Sequence, residues 1–486
     1  FISNKTPNVH DIVLLNRQLS TLYGLLLIYL VFLLALGFGL PRSQALFAAL
    51  LLAFCDLHCT YSHYGIPASG YVLGVYLSVY GAQRIVQQKR FGRWWLALGT
   101  AVAFAFKFDF IPLLLGGSFL LWRAVWGLQS SKAAVRSQPS NWYGKADIPL
   151  AVGLFIFFFG LLTGFSWSIP EIIHSWQTLH TENTDVIPVD RHWLMNPIVY
   201  LAAIVGGIGV PAFGLAAWGL WRLPLPKLKQ RPDLILLIGI ILLEVLVRWS
   251  IDTPFVRRAN VFMPAICLAA AQGWRIAFAP NGRMTIRSHQ IKWLVIIYTG
   301  SLTLVGQSNH WWDTRAAARD WMTTHLPADA KILATPYAVA KGLPQRTEQL
   351  SEAQLPLLAT PPRTGELHSP QLGEGSPNRM EQGRIPFSPT YLLLHEAYYH
   401  RYTLSMTTAG GYPNCCSEVY HCQGEKICHY LQQTVSGQNP AVELIAYFPT
   451  RQIHPERIIY HHFFGNYETF LGDVLLYRTL PADLDQ

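Results

Sequence analysis

Charge is scarce in this chain. Asp, Glu, Lys and Arg together make 13% of 486 residues, 51% are hydrophobic, and the mean hydropathy is +0.24. Ordinary soluble domains carry about a quarter charged residues, so this composition excludes that class. Acidic residues are the scarcer sign, 28 against 37 basic, for a net charge of +9. The basic surplus sits in a few loops and no basic–aromatic stripe occurs outside them, which argues against nucleic acid as a partner. The sequence has no glycine-rich phosphate loop, no His-Glu-x-x-His and no Gly-x-Ser-x-Gly. Chemistry that depends on those local motifs therefore has no visible carrier. No internal repeat is visible, which ranks a transporter built of repeated halves last among the readings. Phe1 rather than Met opens the chain, without the charged n-region of a signal peptide. Upstream residues, including further spans, are expected.

What the chain has is a rhythm of basic clusters between apolar stretches. The clusters are Arg84/Lys89/Arg90/Arg93, Arg123/Lys132/Arg136/Lys145, Arg222/Lys227/Lys229/Arg231 and Arg275/Arg283/Arg287/Lys292. Between successive clusters lie two apolar spans and a loop poorer in positive charge. Lys and Arg collect in cytoplasmic loops, so the four clusters are read as cytoplasmic and the intervening loops as outer. About ten stretches approach the ~20 apolar residues that cross a bilayer. They are residues 21–40, 43–60, 67–84, 94–108, 110–127, 148–167, 197–220, 233–250, 259–275 and 291–308. The expected fold is mainly α, a polytopic transmembrane helical bundle over residues 1–309, followed by a C-terminal extracytoplasmic α/β domain over 310–486.

Composition shifts after residue 309. Asp313 to Thr324 reads as an amphipathic helix, and Leu326 to Asp329 as a turn. Lys331–Thr335, Tyr391–His395, Val442–Tyr447 and Val474–Tyr477 read as strands. Residues 351–386, rich in Pro, Gly, Ser and Glu, read as a loop or linker. Cys415, Cys416, Cys422 and Cys428 crowd into one polar stretch. Two disulfides in an oxidising compartment fit them, with three connectivities open; free thiols and a metal knot are the alternatives.

Five groups of residues could carry chemistry. Asp56 lies about two turns inside the second span, where a carboxylate is costly unless it meets a wet cavity or a partner. Around it Cys55, Cys59 and His63 follow an i, i+4, i+8 stripe, a spacing open to a divalent metal and equally to a polar helix end. Lys107 and Asp109 close the fourth span, either as interface residues or as lining of the same cavity. The outer loop 168–196 carries Glu171 and His174, with Trp176 and Trp193 as interface anchors or sugar-stacking rings. Asp252, Arg257 and Arg258 stand at the outer mouth of the eighth and ninth spans, against the charge bias. Paired arginines suit a lipid phosphate, and pairing with Asp252 is the plainer reading. Glu244 and Arg248 are an i, i+4 pair inside the eighth span, structural or cavity-lining.

Taken in order, several segments resemble the polytopic GT-C glycosyltransferases, in the group of protein mannosyltransferases and the aminoarabinose transferase of lipid A. Ser62-His63-Tyr64 through Val79 resembles the family's "SHY…PD" hairpin. Gly99 to Lys107 resembles its "GLA…tKy" span, and Gly206 to Pro211 its "GlG.p" span. Arg257-Arg258 to Pro264-Ala265 resembles "Ry.lPl.P", and Asp313 to Trp321 with Leu326-Pro327 resembles "DtR..A..Wi…lP.g". The resemblance implies a bacterial inner or plasma membrane and a sugar donor on polyprenyl phosphate. It implies a lipid, glycan or protein acceptor at the outer face. An acidic residue would act as base or orient the acceptor, and cations would grip the donor phosphate. On that basis Asp56 and Asp109 are candidate catalytic acids. Arg257, Arg258 and Lys107 are candidate phosphate ligands, and His63, Glu171 and His174 candidate cavity residues. The sequence departs from the pattern at Ala68, where the hairpin's second acidic residue would stand, and the family's acidic first loop would precede residue 1. Those departures favour the rival reading of a non-catalytic GT-C-like scaffold or assembly subunit.

Overall fold

The computed structural model describes residues 9–63, 68–107, 111, 114, 116–119, 147–162, 195–223, 231–249, 256–278, 286–335, 338, 346–349, 391–396, 399, 430–451, 453–464 and 472–480. The chain is mainly helical with a few strands, and it divides into two compact units. The first comprises residues 1–187 and 196–307, the second residues 188–195 and 308–486.

The helices of the first unit are α1 (Val9–Gly37), α2 (Arg42–Ala53), α3 (Asp56–His63), α4 (Ala68–Val86), α5 (Gly92–Lys107), α6 (Asp147–Leu162), α7 (Met195–Ile208), α8 (Val210–Trp221), α9 (Pro232–Trp249), the 3-10 segment Val256–Phe262, α10 (Met263–Phe278) and α11 (Ile286–Trp311). Their order follows the apolar stretches, of which 110–127 lies mostly outside the described residues, but the expectation of about ten spans is corrected. Among the described residues two helical stretches, Leu14–Gly37 and Arg258–Phe278, are long and apolar enough to cross a bilayer unaided. The count reaches four if α2 with α3, bent by 56°, and α7 with α8, bent by 114°, each count as one broken span. Each of the others falls short for a visible reason. α4 is diluted by Gly, Ser and Tyr and ends in Gln83 and Arg84, α5 and α6 have 16 residues each, α9 carries Asp233, Glu244 and Arg248, and α11 carries Lys292, Thr299, Thr303 and Gln307.

Helix pairs in this unit approach backbone to backbone. A methyl group at Gly74 or Gly81 of α4 would collide with the main chain of α5 at Ala103 or Leu96, and one at Gly99 of α5 with α4 at Ser78. Between them Ser78 and Thr100 share a buried hydroxyl contact at 3.2 Å. Gly219 of α8 and Gly273 of α10 make the same kind of approach. Small residues at helix contacts are how apolar helices associate where lipid removes the hydrophobic drive.

Three of the basic clusters converge on one end of this unit. α1 ends at Gly37, and its chain turns through Gly39 (φ 81°) to Pro41. A helix C-terminus leaves carbonyls without partners. Here Gly37 O accepts from Arg231 Nη2 at 3.3 Å and from Gln87 Nε2 at 3.0 Å, and Gly39 O from Arg275 Nη1 at 3.3 Å; beyond the turn, Ser43 O in the first turn of α2 accepts from Lys292 Nζ at 2.6 Å. Arg231 is also held by buried Asp233 at 2.9 Å. Cations at a helix C-terminus meet its negative dipole end. The cluster Arg123/Lys132/Arg136/Lys145 lies outside the described residues.

The second unit contains a five-stranded mixed sheet of β1 (Lys331–Ala334), β2 (Arg346–Gln349), β3 (Tyr391–His395), β4 (Val442–Phe448) and β5 (Val474–Thr479). Its order is β2-β1-β3-β5-β4. β1 pairs in parallel with β2 and β3, and β5 runs antiparallel to β3 and β4. One face packs Leu333, Leu392, Leu394 and Tyr477 with Tyr399 and Leu431. The other packs Ile332, Ala334, Leu393 and Leu476 under Ala318 and Met322 of α12 (Thr314–His325). This is the alternation that a period of two imposes on a sheet covered on both faces. α13 (Pro455–Phe464) completes the described elements. Cys415, Cys416, Cys422 and Cys428 lie outside the described residues, while Cys55, Cys59 and Cys267 are free thiols.

Asp313 caps α12. Its carboxylate accepts from Arg315 N at 2.9 Å and pairs with the Arg315 guanidinium at 2.6 Å. Burial by itself would raise this carboxyl, but the hydrogen bonds and charge of Arg315 outweigh it and hold the group below the ordinary carboxylate range. A lowered native pKa stabilises above the unfolded value, near ~3.9, and that stabilisation is lost as pH falls through the lowered native value. Asp313→Ala is therefore expected to cost about 1 kcal/mol at neutral pH and less in acid. Amide exchange of α12 as a function of pH checks both, and equal exchange in the variant at pH 7 would contradict the cap.

Candidate functional site

The apolar stretch 43–60 is broken at Phe54-Cys55, and the break sets Asp56 as the first residue of α3. A break in a low-dielectric interior strands carbonyl groups that must find partners. Thr303 of α11 donates its hydroxyl to Phe54 O, and Cys59 Sγ donates to Ala53 O at 3.1 Å. Asp56 is 2% exposed. Its Oδ1 accepts from Gln307 Nε2 at 3.2 Å, and the same amide donates to Thr60 Oγ1 at 2.9 Å. A carboxylate in the first turn of a helix also gains from the positive dipole end.

α11 supplies these partners from one face. Lys292, Thr299, Thr303 and Gln307 are spaced 7, 4 and 4 residues apart, which aligns them on one stripe of a 3.6-residue helix. Lys292 meets Ser43 O at the start of α2, and Thr299 Oγ1 meets Ile208 O at 2.9 Å, at the break between α7 and α8. Gly209, at φ 85°, makes that second break possible, because side-chain-bearing residues rarely adopt this conformation.

Besides Asp56 and the Arg231-paired Asp233, a third carboxylate is buried in the same unit. Glu244 of α9 is 0% exposed, and its Oε1 accepts from the hydroxyl of Tyr71 on α4. Five residues along α4, Tyr76 donates to Val261 O of the 3-10 segment at 2.9 Å and accepts from Ala265 N at 3.1 Å. α4 thus ties both Glu244 and the segment that carries Arg258. Asn260 on that segment is fully buried, and neither amide atom has a hydrogen-bond partner among the described residues.

The expected site residues fare unequally. Asp56 is buried and hydrogen-bonded, His63 is exposed at the end of α3, and Ala68 opens α4. Arg258 is half-buried on the 3-10 segment. Lys107 ends α5 and Arg257 lies on the 3-10 segment, but the side chains of both lie outside the described residues, as does that of Arg248. Asp109, Glu171, His174 and Asp252 lie outside them entirely. The Cys55/Cys59/His63 stripe needs correction. Cys55 sits in the helix break rather than on a continuous helix, and Cys59 turns back to Ala53 O. No group of three metal-ligating side chains forms among the described residues. Reasoning from sequence missed Gln307, Tyr71 and Thr303. Their signal was a polar residue at helical spacing inside an otherwise apolar stretch.

Gln307→Leu deletes one donor to buried Asp56 and is expected to cost about 1–3 kcal/mol. Asp56→Leu in the same background should recover part of that loss, a coupling of about 1 kcal/mol. Thermal unfolding of the purified wild type and the three variants checks this, and additive effects would contradict it. Compared with known proteins, the chain matches no family model and no curated relative.

Proposed function

We propose that this chain is a membrane glycosyltransferase that moves a sugar from a polyprenyl-phosphate donor to a lipid, glycan or protein acceptor at the extracytoplasmic face. In this reading the helical unit is a polytopic bundle whose cationic end faces the cytoplasm. Residues 310–486 form an extracytoplasmic α/β domain. The observation that carries the reading is the polarity of the helical unit. Cations gather at the α1–α2 turn, while two carboxylates, Asp56 and Glu244, are buried away from them with Arg258 on the adjoining segment. Carboxylates inside an apolar helical unit are expensive and mark functional positions by default. The order of sequence motifs supplies the reaction class.

The roles follow from chemistry. As the glycosyl bond to the lipid phosphate breaks, negative charge grows on the phosphate oxygens. Arg257, Arg258 and Lys107 would stabilise that charge. Asp56 would take the proton of the attacking hydroxyl or amine, or orient it. Asp109 is the alternative to Asp56 in that role; His63, exposed at the end of α3, would contact the acceptor, with Glu171 and His174 as further candidates. The rival reading, a non-catalytic scaffold with the same helical plan, is favoured by Ala68 and by the Gln307 amide already engaging Asp56.

Arg257→Ala combined with Arg258→Ala should lower transfer from a polyprenyl-phosphate sugar at least ~100-fold, because fixed charge on a leaving group contributes about 10²–10³, with expression unchanged. Radiolabelled sugar transfer in membranes measures it. Undiminished transfer would remove the phosphate assignment, and absent transfer by the wild type across donors would favour the scaffold.

A further inference from the structure

The α4–α5 connection is held in an unfavourable shape and exposes a compact cationic–aromatic tip. Gln88 (φ 56°) and Phe91 (φ 64°) both adopt the left-handed conformation, although neither is glycine. The turn is nevertheless fixed. Gln88 N donates to Ile85 O at 3.0 Å, Lys89 N to Arg84 O at 2.9 Å, and Gln87 Nε2 to Gly37 O at 3.0 Å. What this geometry achieves is display. Lys89 and Arg90 are exposed, Phe91 is 62% exposed, and the Arg90 guanidinium lies 5.9 Å from the Phe91 ring centroid. A non-glycine residue held at positive φ is retained where the surrounding structure over-determines it, often at a functional contact.

The tip has company. Trp94 follows it, exposed, one turn into α5. Trp221 is 81% exposed at the end of α8, beside Arg222, whose guanidinium lies 4.7 Å from the Trp218 ring. These groups sit at the end of the unit where Arg231, Arg275 and Lys292 cap the α1–α2 turn. Exposed aromatic rings interleaved with Lys and Arg match a membrane interface on both counts. The rings prefer the headgroup level, and the cations complement an anionic leaflet.

We propose that the Gln87–Phe91 turn is a docking surface for the headgroups of anionic phospholipids. Lys89 and Arg90 pair with headgroup phosphates, and Phe91 enters the acyl boundary between them. This rests on the membrane-embedded reading above, and the two can fail separately. Chain that alkaline washing releases from membranes would end the embedded reading, whatever its lipid preference.

The test uses the full chain reconstituted in bilayers of phosphatidylcholine containing roughly one-third phosphatidylglycerol, a typical anionic surface. Native mass spectrometry then counts the lipids retained on release. The wild type should retain phosphatidylglycerol in preference to phosphatidylcholine. Lys89→Ala with Arg90→Ala should lower that preference by about fivefold per cation removed. Phe91→Gly relieves the strained position yet deletes the ring, so it should reduce lipid retention without lowering thermal stability. Gln88→Gly relieves strain and removes no contact group, so its preference should stay at the wild-type value. An unchanged preference in the double alanine variant would overturn the proposal. So would a fall with Gln88→Gly equal to that of the double variant, or stripping of the retained lipid by inorganic phosphate alone.

Discussion

The helical unit depends on how α11 satisfies the backbone of broken helices. Two apolar helical stretches are interrupted, at Phe54-Cys55 and at Gly209, and each interruption leaves carbonyl oxygens without an intrahelical partner. The polar stripe of α11 answers them, Thr303 at Phe54 O and Thr299 at Ile208 O, while Lys292 adds a contact to Ser43 O at the start of α2. Gln307 then reaches the Asp56 carboxylate. One helix therefore meets the breaks of two other helix pairs, α2–α3 and α7–α8. The polar residues that do this also lower α11's hydropathy, so the helix that the bundle relies on is absent from a count of apolar spans.

The same logic separates the two ends of the unit. At the α1–α2 turn, carbonyls are met by Arg231, Arg275 and Lys292, drawn from three later segments. Toward the α2–α3 break, groups of the opposite sign appear, Asp56 at the start of α3 and Glu244 on α9. The dipole argument runs the same way at both places: cations at a helix C-terminus, a carboxylate in a first turn. Buried charge is tolerated because each group has a geometric partner.

Much of the secondary structure was legible in the residues. α12, and the strands at 331–334, 391–395, 442–448 and 474–479, appear where helical and strand periodicity place them, and Asp313, read as the first residue of that helix, is its cap. β2, at Arg346–Gln349, was missed because Arg-Thr-Glu-Gln carries no apolar alternation, and its strand identity comes from parallel pairing with β1. α13 was missed because Pro455–Phe464 is short and lies between turn-like segments. The helix breaks escaped too. Ala-Phe-Cys-Asp reads as uninterrupted helix until α11 supplies acceptable partners for its carbonyls. The candidate site was half legible. An isolated Asp56 inside an apolar stretch is conspicuous, but its partner Gln307 lies 251 residues away and no local pattern connects them.

The proposed function requires the cationic end of the helical unit on the cytoplasmic face and residues 310–486 outside the cytoplasm. Single cysteines at Gln88 and at Asp329, in a background with all 7 native cysteines replaced, test it directly with a membrane-impermeant thiol reagent. The account predicts that Gln88→Cys reacts only in inverted vesicles and Asp329→Cys only in intact cells. Labelling of both from the same side would contradict it.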